Sequence, residues 1–469
     1  MSILDKLSLG DILVIILYII LMIIISVRAS KKIKNAHDYN HAGQNMSWIM
    51  IAGTCIATTM GANMVLGKYD LIVESGLSGI VSYLFWWVGW GFLLLLAKPL
   101  RESGAISIPQ FIEKKYGSTA RKIASYCVLL SMVSFCASSF LAIGNILEAL
   151  GICNHEVGTW IGAIVVISFT IFSGLWGVVL TDTIQSVLLL IGFGILFPII
   201  VIKTAGGWET IVAYNGPERM QIWGGIAPVT MLGWVVYNIL SVGANATYAQ
   251  RIFLAKSTRD AVRGHLVAWV FTLAVCGVFS ALPGLASNMI FPEVKGSQFT
   301  PLFIVTYFPV IVRGLMLSIL LALILTSGNS YLMLLSSTVV DDIIRPIKKD
   351  LSDKKVIFVT RTICVLSAGI ICIMALYVDK LYQLTKTGGS AYGAGIFFPL
   401  VIGCFAKKVN ARAVCASMVA GTLTSFCFDM FLKIPLGLDM DGGPIGAALC
   451  LIIILSGYLS KKEIRKSEE

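Results

Sequence analysis

Long apolar runs separated by short polar loops cover the chain almost from end to end. Most of these runs reach the ~18 residues that an α-helix needs to cross ~30 Å of hydrocarbon. The pattern predicts membrane-spanning helices over residues 11–28, 46–74, 78–98, 122–150, 157–174, 180–202, 228–249, 264–290, 310–338, 355–378, 381–405, 411–433 and 443–460. We therefore predict an all-α polytopic membrane protein with about 13 transmembrane helices, which form a single domain over residues 1–469.

The distribution of charge predicts how the helices are oriented. Only 13% of the residues are charged, whereas a soluble domain has about 25%. Most of the 36 Lys and Arg residues, Arg251 and the tail 461–469 among them, lie in loops on one side of the predicted membrane. The positive-inside rule makes this side cytoplasmic. We expect a plasma-membrane protein with its N-terminus outside and its C-terminus in the cytoplasm, and no nucleic-acid partner.

Cysteine and histidine show no spacing that is typical of a disulfide framework or a zinc site. The 11 cysteines lie mostly inside apolar runs, and His37, His41, His155 and His265 fall outside the predicted helix centres. We therefore expect no cofactor. No soluble dimerisation element is recognisable, so we expect a monomer in the lipid bilayer.

Two of the predicted helices are poorly suited to being continuous. The second contains Gly61, Asn63 and Gly67 near its middle, and the seventh contains Gly243 and Asn245 at a comparable depth. A glycine costs about 1 kcal/mol in a helix interior, and backbone groups freed in hydrocarbon need partners. Paired interrupted helices indicate an inverted-repeat transporter whose freed carbonyls face an ion or solute. Close helix packing through small residues is the alternative interpretation.

Polar side chains inside the apolar runs mark a candidate ion site. Asp182 lies near the start of the sixth segment, either as a helix-end carboxylate that faces water or as a buried cation or proton site. The ninth segment carries an oxygen-rich stripe made of Thr326, Ser327, Asn329, Ser330, Ser336 and Ser337. Alkali cations prefer several neutral or anionic oxygens, which this stripe and unwound carbonyls can supply.

Four basic or acidic residues lie near the ends of predicted helices. Lys68 and Asp70 follow the break in the second segment, and Lys386 lies at the start of the eleventh. We expect them near the outer surface, where long side chains snorkel to water or attract an anionic solute. Arg361, one turn inside the tenth segment, is expected to snorkel to the cytoplasm.

Four stretches of the chain carry a resemblance to a known family. They read IAGTCIATTMGANMVLG, FSGLWGVVLTDTIQS, GANATYAQRIFLAKS and LTSGNSYLMLLSSTVVDDII. The chain resembles the sodium:solute symporter family, which carries proline, pantothenate, sialic acid and sugars, over nearly its whole length. The resemblance implies a LeuT-type fold with a leading helix (11–28), a five-helix repeat (46–202), a second, inverted five-helix repeat (228–405) and two trailing helices (411–460).

The same resemblance implies the residues that bind ions and solute. A coupling sodium would contact the carbonyls of Ala57, Met60 and Leu323 and the hydroxyls of Thr326 and Ser327. A second cation in some members implies Asp182, Asn329 and Ser330, although the asparagine departs from the usual serine. The solute would contact Thr58, Asn63, Met64 and Asn245. The polar group that sugar-binding members place near Asn63 and Met64 is partly missing, which argues against a sugar.

These observations predict sodium-coupled import of a small organic solute by alternating access. A small amino acid, a short monocarboxylate and a vitamin-like acid all fit, and Na⁺ is the only metal expected. A proton-coupled symporter that uses Asp182 is the nearer alternative. A membrane-embedded enzyme is the remote one, because only Asp182, Asp341 and Asp342 offer acid or base chemistry, and the sequence gives them no histidine partner.

Overall fold

The computed structural model describes residues 7–61, 64, 68–224, 226, 228–294, 296–348, 350–377, 381–406, 409–432 and 441–467, and this part of the chain is almost entirely helical. Its first half contains α1 (Leu9–Ser30), α2 (Ala36–His41), α3 (Trp48–Thr59), α4 (Lys68–Ser75), α5 (Leu77–Glu102), α6 (Ile108–Tyr116), α7 (Ser118–Ala149), α8 (His155–Ile191), α9 (Phe197–Thr204) and α10 (Trp208–Arg219). Between α8 and α9 the backbone is π-helical over Gly192–Leu196, so the two form one bent rod.

The second half contains α11 (Pro228–Gly243), α12 (Ala246–Leu254), α13 (Thr258–Thr272), α14 (Pro283–Ile290), α15 (Gly296–Tyr307), α16 (Val312–Ser337), α17 (Arg345–Ile347), α18 (Asp353–Tyr377), α19 (Leu381–Phe405), α20 (Ala411–Cys427) and α21 (Gly442–Ser467). Further π-helical turns follow α13 (Leu273–Val278), α16 (Thr338–Ile344) and α20 (Phe428–Leu432). Such turns leave backbone carbonyls without their usual partners and often lie at functional sites.

Nine helical stretches in the described part of the chain are long and apolar enough to cross a membrane, and Trp48–Thr59 and Gly442–Tyr458 are shorter apolar helices. One of the nine, His155–Thr204, has 50 residues and would extend about 75 Å at 1.5 Å per residue. That length is more than twice the ~30 Å of hydrocarbon, so this stretch is long enough for the two crossings that the sequence predicts over 157–174 and 180–202. The total of about 13 crossings stays a prediction.

The fifth and sixth predicted segments meet at Gly174 without any loop between them. Gly174 has φ 51° and ψ −156°, which interrupts α8. A Cβ atom at this position would lie 2.6 Å from the carbonyl oxygen of Tyr39. The Tyr39 hydroxyl donates a hydrogen bond of 2.7 Å to the carbonyl of Ile171, just before the break. The helix is therefore broken at a single glycine that is packed against α2.

We expect Gly174→Ala to destabilise the folded protein. The backbone conformation costs a non-glycine residue about 1–3 kcal/mol, and the new methyl group would also press against Tyr39. Thermal unfolding of the purified protein in detergent measures this effect. Gly369→Ala on α18 is the control, because nothing lies within 4 Å of its added Cβ atom and alanine favours a helix. Equal unfolding temperatures for both variants would contradict the conclusion that position 174 requires glycine.

Among the apolar spans, α16 is the most buried, so the oxygen-rich stripe that includes Thr326 and Ser327 lies in the interior of the bundle. In the described part, 83% of its apolar window is buried, and it contacts α1, α3, α7, α8 and α18. By contrast, large apolar side chains such as Leu95 and Phe172 are exposed on the outer surface, where they face lipid in a membrane. Polar residues of α16 therefore have only protein, ions or enclosed water as partners.

Candidate functional site

Both helix interruptions that the sequence predicts are present. The first lies between α3 and α4, where Met60 leaves the helix with φ −73° and ψ 45°; Asn63 lies outside the described residues. The second lies between α11 and α12, where the side-chain oxygen of Asn245 accepts hydrogen bonds from the amides of Thr247 (3.0 Å) and Tyr248 (3.2 Å). Asn245 therefore caps the N-terminus of α12.

The carbonyl that the second interruption frees finds a partner on another helix. The hydroxyl of Tyr392 on α19 donates a hydrogen bond of 2.6 Å to the carbonyl of Ala244. An unsatisfied carbonyl in hydrocarbon costs several kcal/mol, so this tyrosine stabilises the break. The unwound segment is thus held in place by a neighbouring helix.

Oxygen atoms from α3 and α16 converge beside the first interruption. The Thr326 hydroxyl lies 3.0 Å from the carbonyl oxygen of Ala57 and 3.2 Å from that of Leu323. The Ser327 hydroxyl lies 3.4 Å from the carbonyl of Leu323 and 3.5 Å from that of Thr58. All of these residues are buried. Four of the five residues that the sequence assigned to sodium therefore share one oxygen cluster.

The donor set of this cluster fits an alkali cation. Every oxygen in it is a neutral carbonyl or hydroxyl, the kind of ligand that hard cations bind. Each hydroxyl at present donates to a carbonyl, but a hydroxyl also has two acceptor lone pairs and can rotate toward a cation. Met60, the fifth residue, ends α3 and is buried, and its amide donates to the carbonyl of Ile56 at 2.9 Å.

Asp182 is buried, and its ionic partner is Arg251, which was expected to lie in a cytoplasmic loop. Its Oδ2 accepts a hydrogen bond of 2.6 Å from the Thr54 hydroxyl and lies 4.0 Å from Nη2 of Arg251. Both side chains of this ion pair are 0% exposed. The placement of Arg251 in a cytoplasmic loop was therefore wrong: the guanidinium lies inside the bundle.

Arg251 connects the second interrupted helix to α3 and α16. Its Nη2 donates to the Ser330 hydroxyl at 2.6 Å and to the Thr58 hydroxyl at 3.3 Å, and its Nη1 donates to the Thr247 carbonyl at 3.0 Å. The residues of α12 from Ala246 to Leu254 are all buried. The polar residues Thr247, Gln250 and Arg251 lie toward one side of this short helix, so the sequence alone gives no signal that Arg251 is buried.

The three residues assigned to a second cation do not share a single cluster. Ser330 contacts Arg251, which in turn faces Asp182. Asn329 instead accepts a hydrogen bond of 3.2 Å from the hydroxyl of Thr170 on α8. The guanidinium therefore occupies the space between Asp182 and α16.

A cavity of about 250 Å³ opens directly beside the oxygen cluster. Thr58, Met64 and Asn245, three of the residues assigned to the solute, line it, as does Ser327 of the cluster. Aromatic side chains form much of the remaining wall: Tyr83, Trp86, Phe135, Trp234, Tyr237, Tyr248 and Tyr331. No carboxylate, ammonium or guanidinium group lines the cavity among the described residues.

Lys68 is also buried, contrary to the expectation that it lies near the outer surface. It is 0% exposed, and its ammonium donates to the carbonyl of Cys276 at 2.8 Å and to the hydroxyl of Ser280 at 2.6 Å. Cys276 belongs to the π-helical turn after α13. A backbone carbonyl and a hydroxyl therefore accommodate the buried ammonium group.

Two further expectations about titratable residues were wrong. Asp341 does have a histidine partner, because Nε2 of His41 lies 2.9 Å from its Oδ2 and both residues are buried. His265 lies inside α13 rather than outside a helix centre, and it contacts the carbonyls of Ala261 and Tyr248. The His41–Asp341 pair joins α2 to the π-helical turn after α16, which is a structural connection between helices.

Two interrupted helices that meet beside an oxygen cluster and a solute-sized cavity define an ion-coupled secondary transporter. The chain belongs to the sodium:solute symporter family, because the family model matches residues 39–421. It is thus a membrane-embedded sodium-coupled symporter of small solutes, with Na⁺ as the coupling ion.

Individual relatives are similar over nearly the whole chain. A high-affinity proline transporter of Bacillus subtilis (strain 168) is 24% identical, over 86% of this chain and 89% of its own length. A sodium/glucose cotransporter of Vibrio parahaemolyticus is 26% identical, over 96% and 90%. The solved structure of a Na⁺-coupled sialic acid symporter in its substrate-bound outward-open state superposes with a TM-score of 0.81, at 20% identity, over 96% of this chain and 98% of that one. The fold is therefore of the LeuT type, while the range of these solutes leaves this chain's solute open.

Proposed function

We propose that this protein imports a small zwitterionic solute with one sodium ion, which binds between the end of α3 and the middle of α16. The observation that carries this proposal is the approach of the Thr326 and Ser327 hydroxyls to the carbonyls of Ala57, Thr58 and Leu323. The carbonyl of Met60 completes the proposed ligand set. The repeats at 46–202 and 228–405 would then rock against one another.

Sodium binding and solute binding share residues in this arrangement. Thr58 and Ser327 belong to the oxygen cluster and also line the cavity. An ion that draws α3 toward α16 therefore shapes one wall of the solute site, which favours the state that binds solute. One charge crossing ~100 mV releases ~2.3 kcal/mol, and a tenfold sodium gradient adds ~1.4 kcal/mol. Together they sustain a solute gradient of roughly several hundredfold.

The chemistry of the cavity favours a solute without net charge. Its described lining offers hydroxyl, amide and aromatic groups, and aromatic faces attract a cationic nitrogen. The amide of Asn245 lies at the N-terminus of α12, where a carboxylate is favoured. A small zwitterionic amino acid meets both conditions, and proline, named in the Bacillus subtilis relative, is such a molecule. Asn63 remains a proposed contact.

We expect Asn245→Asp to weaken solute binding at least about tenfold, because a new carboxylate would repel that of the solute. The fold should persist, since aspartate retains the oxygen that accepts from Thr247 and Tyr248. Isothermal titration with the solute measures this change. Asn245→Ala is the comparison, because it loses the cap and about 1 kcal/mol of stability. Unchanged affinity in Asn245→Asp would remove this residue from the solute site.

The experiment that tests the proposed function is a thermal-shift screen of the purified protein against small metabolites, with sodium and with choline in its place at fixed pH. We expect zwitterionic amino acids to raise the unfolding temperature only when sodium is present. A solute that stabilises the protein equally in sodium and in choline would refute sodium coupling; repeating that measurement at a second pH then tests the proton-coupled alternative.

We place no second ion at Asp182, because the Arg251 guanidinium already provides its cationic partner. The N-terminus lies outside and the C-terminus in the cytoplasm, where the basic loops remain. We propose that the protein works as a monomer and has no enzymatic activity.

A further inference from the structure

A groove at one end of the bundle is separate from the transport site. It lies between the end of α1, the part of α8 before Gly174 and the start of α18, and its volume is about 650 Å³. Its apolar lining includes Val27, Phe172, Ile357 and Phe358, and its cationic lining consists of Lys354 and Arg361. We call it the α1–α8–α18 groove. The transport mechanism proposed above does not involve this groove.

The sequence of α18 places one face of the helix in this groove. Lys354, Ile357, Phe358 and Arg361 follow the spacing i, i+3, i+4 and i+7, which puts them on one side of a helix. The two cations lie seven positions apart, or about 10 Å along the axis. Phe358 between them is 70% exposed, and Phe172 across the groove is 64% exposed. The groove is therefore open to the surroundings of the protein rather than enclosed.

Neither cation has an anionic partner within the described part of the chain. No carboxylate there lies within 4.0 Å of Lys354 or Arg361. The guanidinium of Arg361 lies 5.4 Å from the ring centre of Tyr39, and its buried Nε atom has no hydrogen-bond partner. The side chain is thus held in place by an aromatic ring while its charge is left uncompensated.

We propose that the α1–α8–α18 groove binds an anionic phospholipid. Its phosphate would lie between Lys354 and Arg361, and an acyl chain would follow the exposed surfaces of Phe172 and Phe358. Basic pockets between transmembrane helices bind anionic lipid headgroups in this way. A soluble anion would use the cations but would leave the apolar wall in contact with water, so the combined lining selects a lipid.

Lipid binding to the purified full-length protein tests this site without relying on transport. Native mass spectrometry counts bound phosphatidylglycerol and, as a neutral reference, phosphatidylcholine with the same chains. We expect tighter binding of phosphatidylglycerol. Lys354→Gln/Arg361→Gln should weaken it about 25-fold, or about fivefold for each cation, and leave phosphatidylcholine unaffected. Lys355→Gln is the matched control, because this exposed neighbour does not line the groove.

Several outcomes would overturn the assignment. Unchanged phosphatidylglycerol binding in the double variant would show that the lipid binds elsewhere. An equal loss in Lys355→Gln would indicate diffuse surface charge rather than a site. Displacement of the lipid by inorganic phosphate would identify a soluble anion as the ligand. Should the double variant fail to fold, Lys354→Gln alone is decisive, because this residue is exposed and its loss should still weaken binding about fivefold.

Discussion

Thr326→Ala and Ser327→Ala are each expected to raise the sodium concentration for half-maximal uptake by about tenfold to hundredfold, because a bond to a charged group contributes about 1.5–3 kcal/mol. The double variant should lose sodium-dependent uptake altogether. Each substitution removes a hydroxyl that lies within 3.5 Å of carbonyls at the end of α3 or in α16. Uptake into proteoliposomes over a sodium titration, with choline as the balancing cation, measures the effect.

Ser318→Ala is the matched control on the same helix. Ser318 is 0% exposed, and its hydroxyl donates to the carbonyl of Gly314 at 2.8 Å, within its own helix. Its loss should change stability slightly and sodium affinity not at all, because such bonds form locally. If Thr326→Ala and Ser327→Ala insert normally and still respond to sodium like the parent protein, the proposed ion site is wrong.

The interrupted helices were predictable because their cause lies in local sequence. Glycine and polar residues clustered at mid-depth are costly in a continuous helix, and the breaks fall beside Met60 and Asn245. The hydroxyl stripe of α16 was predictable for the same reason, since Thr326 and Ser327 stand out within an apolar run. The approach of Thr326 to the carbonyl of Ala57 was expected from the family resemblance rather than from periodicity.

The buried cations were not predictable, because their partners are distant in sequence. Arg251 faces Asp182 across 69 positions of the chain, and the carbonyl that accepts from Lys68 lies in a π-helical turn more than 200 residues away. The positive-inside rule counts any basic residue next to an apolar run as part of an exposed loop. Only the packing of α12 and α4 against other helices shows that these side chains have no route to water.

Asp182→Asn is expected to destabilise the protein by about 3–5 kcal/mol, because it leaves a buried charge on Arg251 without a partner. In the described part of the chain, Asp182 is the sole carboxylate within 4.0 Å of that guanidinium, and both side chains are 0% exposed. Combining Asp182→Asn with Arg251→Gln should recover most of the loss, because it removes both charges together. Denaturation in detergent, monitored by tryptophan fluorescence, measures the free energy of unfolding of the parent protein, the single variant and the double variant.

Glu113→Gln provides the comparison for removing a carboxylate from an ion pair. Glu113 pairs with Arg121 at 2.6 Å but is 35% exposed, and Arg121 also contacts Asp342, so the free-energy cost of Glu113→Gln should stay below about 1 kcal/mol.

These measurements distinguish two interpretations of Asp182, as the ionic partner of Arg251 or as a proton site. If Asp182 balances Arg251, Asp182→Asn unfolds more easily and the double variant is rescued. If Asp182 is a proton site, the Asp182→Asn variant keeps the stability of the parent protein and loses only the pH dependence of uptake. That result would contradict the proposal that Asp182 is buried because it pairs with Arg251.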